Sequence, residues 1–170
     1  KSKIKYLRNY SGKGYEETVI KGIKYLLKKN YKYIATFDAD GEHDHKFFLK
    51  LKNITSFDLI IGQRKSFNRL SEYLFSFITH LLFNIKAPLS GLKIYNTKIL
   101  KKIKIKNENI LNTSIIFKIK FLGGKVIHKL LKVKKRKDQS RLGNNLIVNI
   151  NIIYYIFKLL IKLLFLKAKI

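Results

Sequence analysis

The chain has 170 residues, 46% of them hydrophobic and 28% charged, which suits one domain with a real core and argues against wholesale disorder. It has no cysteine, which excludes a disulfide framework and cysteine–zinc sites and fits a reducing compartment. The formal net charge is +27, from 37 basic against 10 acidic residues. Such a field attracts nucleic acid, anionic lipid headgroups or a phosphate-bearing substrate, although the excess of Lys over Arg, with abundant Ile and Asn, equally fits a genome poor in G and C.

The sequence opens on Lys1 rather than Met, without a signal-peptide pattern, and Lys1–Asn9 reads as interior sequence, so the chain is expected to begin inside a fold. Ser11-Gly12-Lys13-Gly14 is a turn before a helical pattern of Val19, Ile20, Ile23, Leu26 and Leu27, running to about Lys29. Lys13 can meet a phosphate at this helix N-terminus, or be one more lysine of a Lys-rich surface. Tyr31–Phe37 is rich in aromatic and β-branched residues and predicts a strand; Asp44 caps a helix over His45–Asn53; Phe57–Gly62 predicts a short buried strand. Strands alternating with helices imply an α/β architecture with a largely parallel sheet.

Arg69–Ile85 is a long apolar helical stretch near spanning length, interrupted by Arg69, Glu72 and His80. After the loop Ala87–Gly91 come a strand over Leu92–Tyr95, a helix over Lys98–Lys104 and a helix over Asn112–Phe121 that stops at Gly123-Gly124. Lys125–Val133 alternates as a strand, and Lys134–Asn145 is a basic loop. The division is therefore a domain over 1–145 and a helix over 146–170. In that last helix Lys158 and Lys162 share one face, and Tyr155, Phe157, Leu159, Leu160, Leu163, Leu164 and Leu166 form the other. The wide apolar arc favours a helix in the membrane interface, or the foot of a spanning helix, over one docked on the domain.

The segment with most chemistry is Asp38-Ala39-Asp40-Gly41-Glu42-His43-Asp44, directly after a strand, where α/β sheets place ligands. Two carboxylates one residue apart can hold one hard divalent cation, Mg2+ or Mn2+, which shares its coordination with substrate phosphates. Glu42 can add a third oxygen or order a water. The same aspartates can also serve only to cap the next helix. His43 and His45 read as structural, because a hard cation does not call for imidazole.

Taken in order, Ser11-Gly12-Lys13-Gly14, the strand ending in Asp-Ala-Asp-Gly-x-His-Asp, and Phe57–Arg64 ending in Ile-Gly-Gln-Arg resemble family 2 glycosyltransferases, in particular the branch of dolichyl- and polyprenyl-phosphate sugar synthases. Ser90-Gly91-Leu92-Lys93 resembles their Ser-Gly-Phe-Arg segment, and Gly124-Lys125-Val126 with Arg136 and Ser140-Arg141-Leu142-Gly143 resembles their closing strand and basic loop. The resemblance covers about Asn9 to Gly143. It implies a GT-A-like, Rossmann-like fold with a mostly parallel sheet flanked by helices, N-terminally incomplete, followed by an amphipathic or membrane-associated helix.

It also implies roles. Asp38 and Asp40, joined by Glu42, are expected to hold Mg2+ or Mn2+ and through it the diphosphate of a nucleoside diphosphate sugar. Arg64 is expected to face a phosphate with its bidentate fork. Arg141 and Arg136 are expected to bind the phosphate of a polyprenyl-phosphate or other glycan or lipid acceptor, with a solvated basic surface as the alternative for Arg136. The implied setting is the cytoplasmic face of a membrane, an anionic surface, in cell-envelope polysaccharide synthesis.

Two departures stand out. The family's first strands, which carry the nucleoside pocket, have no counterpart here, and Ala87 stands where relatives place an acidic base, so no residue is assigned as catalytic. A phosphate acceptor is already ionised near neutral pH and can dispense with that base. A catalytically inactive, membrane-associated relative is the alternative. A nucleic-acid binder ranks last, since no such module is recognisable and the aromatics sit at core-like positions.

Overall fold

Four strands make up the sheet: β1 (Tyr33–Thr36), β2 (Leu59–Gln63), β3 (Lys93–Asn96) and β4 (Val126–Leu130), in the order β1-β3-β2-β4. The structure is a computed structural model and describes residues 5–8, 14–38, 45–51, 56–65, 67, 69–106, 112–131 and 145–167. β2 lies inside the sheet, and Leu59, Ile60, Ile61 and Gly62 are all buried. A strand covered on both faces reads as a continuous apolar run, and this one does. β1, β2 and β4 run in one direction and β3 runs against them, pairing antiparallel with both β1 and β2. Three strands thus share the expected parallel direction, but only the β2–β4 pairing is parallel. The reversal brings the segment before β3 to the edge where β1 and β2 end.

Side chains alternate between two apolar clusters, as the period of a strand requires. Ile34, Leu59, Ile61 and Tyr95 enter the larger cluster, with Ile20 and Ile23 of α1 (Gly14–Leu27). The same cluster takes Phe75 of α2 (Leu70–Phe83), Ile99 and Leu100 of α3 (Thr97–Lys102), Ile115–Phe117 and Ile119 of α4 (Ser114–Phe121), and Ile152, Ile156 and Leu159 of α5 (Asn145–Lys167). Ile60, Leu92 and Ile94 face the other way and meet Phe47, Phe57 and Leu131. Phe47 belongs to a 3-10 helix, His45–Leu51, where the sequence predicts an α-helix to Asn53.

Local signals explain several ends. Asn96 caps α3, its side chain accepting from the Lys98 N–H at 3.0 Å. Asn84 adopts a left-handed conformation, φ 55°, just past α2, which Asn tolerates better than most side chains. Gly123, φ 73°, does the same after α4.

The terminal helix differs from a single wide arc. α5 packs against α2, and Ser71 Oγ donates to Asn149 Oδ1 at 2.5 Å between them. Ile152, Ile156 and Leu159 are buried in the main cluster, whereas Phe157 is exposed and Tyr155 and Leu160 are half-buried. The helix is therefore apolar on two opposite faces, one of which is docked. Among the described residues no helix is long and apolar enough to cross a membrane.

Candidate functional site

The register fixes what meets at one end of the sheet. Thr36 pairs with Lys93, and Lys93 with Ile61, so these three residues form a row across β1, β3 and β2. Just past that row β1 runs out to Asp38, β2 runs out to Arg64, and the Ser90-Gly91 turn enters β3 between them. β4 also ends here, Gln63 pairing with Leu130. This is the edge at which an α/β sheet presents ligand-binding loops.

Asp38 is half-buried and held from several sides. Tyr15, in the first turn of α1, donates its hydroxyl to Asp38 Oδ1 at 3.0 Å. Gly91 lies so close that a Cβ there would overlap the Asp38 carboxylate. Thr36 Oγ1 donates to the Gly91 carbonyl at 2.9 Å, which locks the turn to β1. Phe37 next door packs on Phe48 of the 3-10 helix, ring centroids 5.8 Å apart.

Beneath the carboxylate lies Lys93, a buried lysine inside an inner strand. Its ammonium donates to the Ser90 carbonyl. Burial pushes the ammonium down to about 8, and the Asp38 charge acts in the opposite direction. Tyr95, on the same face of β3, is fully buried, and burial first, then Tyr15, pushes its phenol well above the ordinary range; a hydrogen bond with Thr36 acts the other way. It stays a neutral hydroxyl. Asp38 thus sits beside a buried lysine and accepts a hydroxyl donor.

Arg64 is half-buried and leaves β2 at this same edge. Of the other sequence-predicted residues, Asp40, Glu42, Lys13, Arg136 and Arg141 lie outside the described residues. Ala87 is buried, and its carbonyl accepts from the Ser90 N–H at 3.2 Å, so it shapes the turn and offers no group to take a proton. Among the described residues no group of three or more His, Asp or Glu side chains could hold a metal ion. The Asp38 carboxylate, oriented by Tyr15, offers oxygen, the kind of ligand hard divalent cations favour. Tyr15 and Thr36 carry no site signal in the sequence. Tyr15 is 23 residues from its partner. Lys93 is marked only as the last residue of the Ser90-Gly91-Leu92-Lys93 segment, not by its burial.

No family model matches the chain, and no curated protein matches it. Its structure is similar to that of glucosyl-3-phosphoglycerate synthase from Mycobacterium tuberculosis, determined in complex with phosphoglyceric acid. The TM-score is 0.63 at 14% identity, over 90% of this chain and 56% of that one. The chain therefore spans little more than half the length of that synthase. At this identity the likeness establishes the fold: a mixed α/β, GT-A-like architecture with an open four-stranded sheet flanked by helices, shared with a sugar-transferring synthase.

Proposed function

We propose that the chain carries the donor-phosphate end of a metal-dependent glycosyltransferase of the family 2 kind. It would move a sugar from a nucleoside diphosphate donor to a membrane-held acceptor, a polyprenyl phosphate first among them, at the cytoplasmic face of a membrane. The observation that carries this reading is the clamped Asp38 carboxylate at the end of β1, in a fold shared with a glucosyl synthase.

Asp38, Asp40 and Glu42 are the residues for Mg2+ or Mn2+. When bound, the cation neutralises charge developing on the diphosphate leaving group. Tyr15 orients the Asp38 carboxylate, and Lys93 lies close to it. Arg64, at the neighbouring strand end, suits a bidentate phosphate contact. Lys13, Arg136 and Arg141 supply further cations for donor and acceptor phosphates. An ionised phosphate acceptor needs no proton removed before attack, which accommodates a buried alanine at position 87. The synthase with the similar fold was captured with phosphoglyceric acid, an anionic phosphate ester, and that is consistent with a phosphate-bearing acceptor here.

The test is sugar-nucleotide turnover by the native full-length protein in its own membranes. Metal-dependent turnover that disappears in Asp40→Asn supports the reading, and unchanged turnover in that variant would sink the metal assignment. Ala87 also favours a second reading, an inactive membrane-associated relative that keeps the fold. Turnover of any donor by the native protein rejects it.

A further inference from the structure

Between Ile147 and Ile161, α5 turns one apolar stripe to solvent. Ile147, Ile150, Tyr154, Phe157 and Ile161 recur at intervals of three and four residues and lie opposite the docked residues Ile152 and Ile156. Their exposures run from 52% to 65%. The neighbouring α2 does the same with Leu70, Leu74, Phe77 and Leu81, exposed by 42% to 80%. Single exposed apolar residues are ordinary, but stripes on two adjacent helices mark an interaction surface.

We propose that α2 and α5 together form a docking face for an anionic lipid surface, on which both helices lie with their inner sides held by the domain. Charge selects this occupant. α5 contains no acidic residue, and the single acid of α2, Glu72, is paired with Arg69 at 2.7 Å. The whole chain carries +27. The spacing of the α5 stripe would also suit a facing helix, but a second copy would bring equal positive charge against it. An anionic bilayer instead is attracted by that excess of basic charge. Tyr73 and Tyr154 are exposed at the face, the side-chain type enriched at bilayer interfaces. A helix buried on one side by protein and on the other by acyl chains needs no spanning length, in keeping with the absence of a crossing helix among the described residues.

This surface deepens the reading of a membrane-held acceptor. Its test needs no nucleotide or sugar transfer, so its failure would leave the donor site untouched. The full chain is sedimented with vesicles of phosphatidylcholine alone and of phosphatidylcholine mixed with phosphatidylglycerol. Binding to the anionic vesicles is expected, with a fall of at least about tenfold in the double variant Ile150→Asp/Phe157→Asp. Both side chains are exposed, so the fold should survive, as circular dichroism would report. Lys101→Glu, on the exposed surface of α3, changes net charge by the same two units and should cost far less. The proposal is overturned if wild type ignores anionic vesicles, if the double variant binds equally well, or if Lys101→Glu matches its loss. Self-association that the double variant abolishes, without vesicle binding, would instead assign the face to a second copy.

Discussion

The Tyr15 hydroxyl donates to Asp38 Oδ1 at 3.0 Å, joining the first turn of α1 to a residue just past the end of β1. Neither partner is fully buried, so the bond contributes about 1 kcal/mol, the ordinary net value. In Tyr15→Phe the carboxylate loses this orienting donor while the ring remains. Affinity for Mn2+, read from the electron paramagnetic resonance of the free ion, is expected to fall roughly fivefold. The melting temperature should barely move. Unaltered Mn2+ affinity would show that Asp38 needs no help from α1.

Gly91 presents a different constraint on the same carboxylate. A Cβ at this position would occupy the space of Asp38 itself. Gly91→Ala must therefore displace either the turn or the carboxylate, and overpacking of this kind costs about 1–3 kcal/mol. The expected outcome is loss of measurable Mn2+ binding together with a lower denaturation midpoint. Full metal binding in a stable Gly91→Ala protein would show that Asp38 can settle elsewhere without consequence.

Much of this arrangement was legible in the residues, and the exceptions have physical causes. Phe57–Gly62 is a short apolar run because its strand is covered on both faces, so β2 and its burial could be read directly. The α1 spacing placed Ile20 and Ile23 on one side, and they are the buried pair. The antiparallel insertion of β3 was not legible, since strand order depends on pairings remote in sequence. A lysine in the strand Lys-Ile-Tyr-Asn looks like surface; only the fold reveals the Ser90 carbonyl and the Asp38 charge that tolerate it in the interior. In α5 both faces are apolar, and composition cannot say which of them the domain covers. The strand-end aspartate was readable, whereas Tyr15 reaches it only because α1 packs beside β1.

His128 makes stability depend on pH. It is half-buried on β4, and the Lys86 backbone N–H donates to its Nε2 at 3.1 Å, a bond that requires the neutral ring. Burial first, then Lys86, His80 and Lys120, hold its pKa below the ordinary 6.5. As pH falls, the unfolded chain takes up this proton before the folded one does. The contribution to stability is therefore complete above the unfolded value and is lost as pH drops through the window beneath it. Between about pH 7 and pH 5, the melting temperature of wild type should fall more than that of His128→Gln. Parallel curves for the two proteins would contradict the assignment.

A metal-dependent nucleotide site just past the end of β1 is the centre of the proposed function. Isothermal titration of the native full-length protein with UDP and with GDP, each with and without Mn2+, examines that site whichever base the donor carries. At least one nucleotide should bind when Mn2+ is present, lose most of its affinity in EDTA, and fail to bind Asp38→Asn while that variant keeps its melting temperature. Absence of binding by either nucleotide in the presence of Mn2+, or equal binding by wild type and Asp38→Asn, would contradict the central claim.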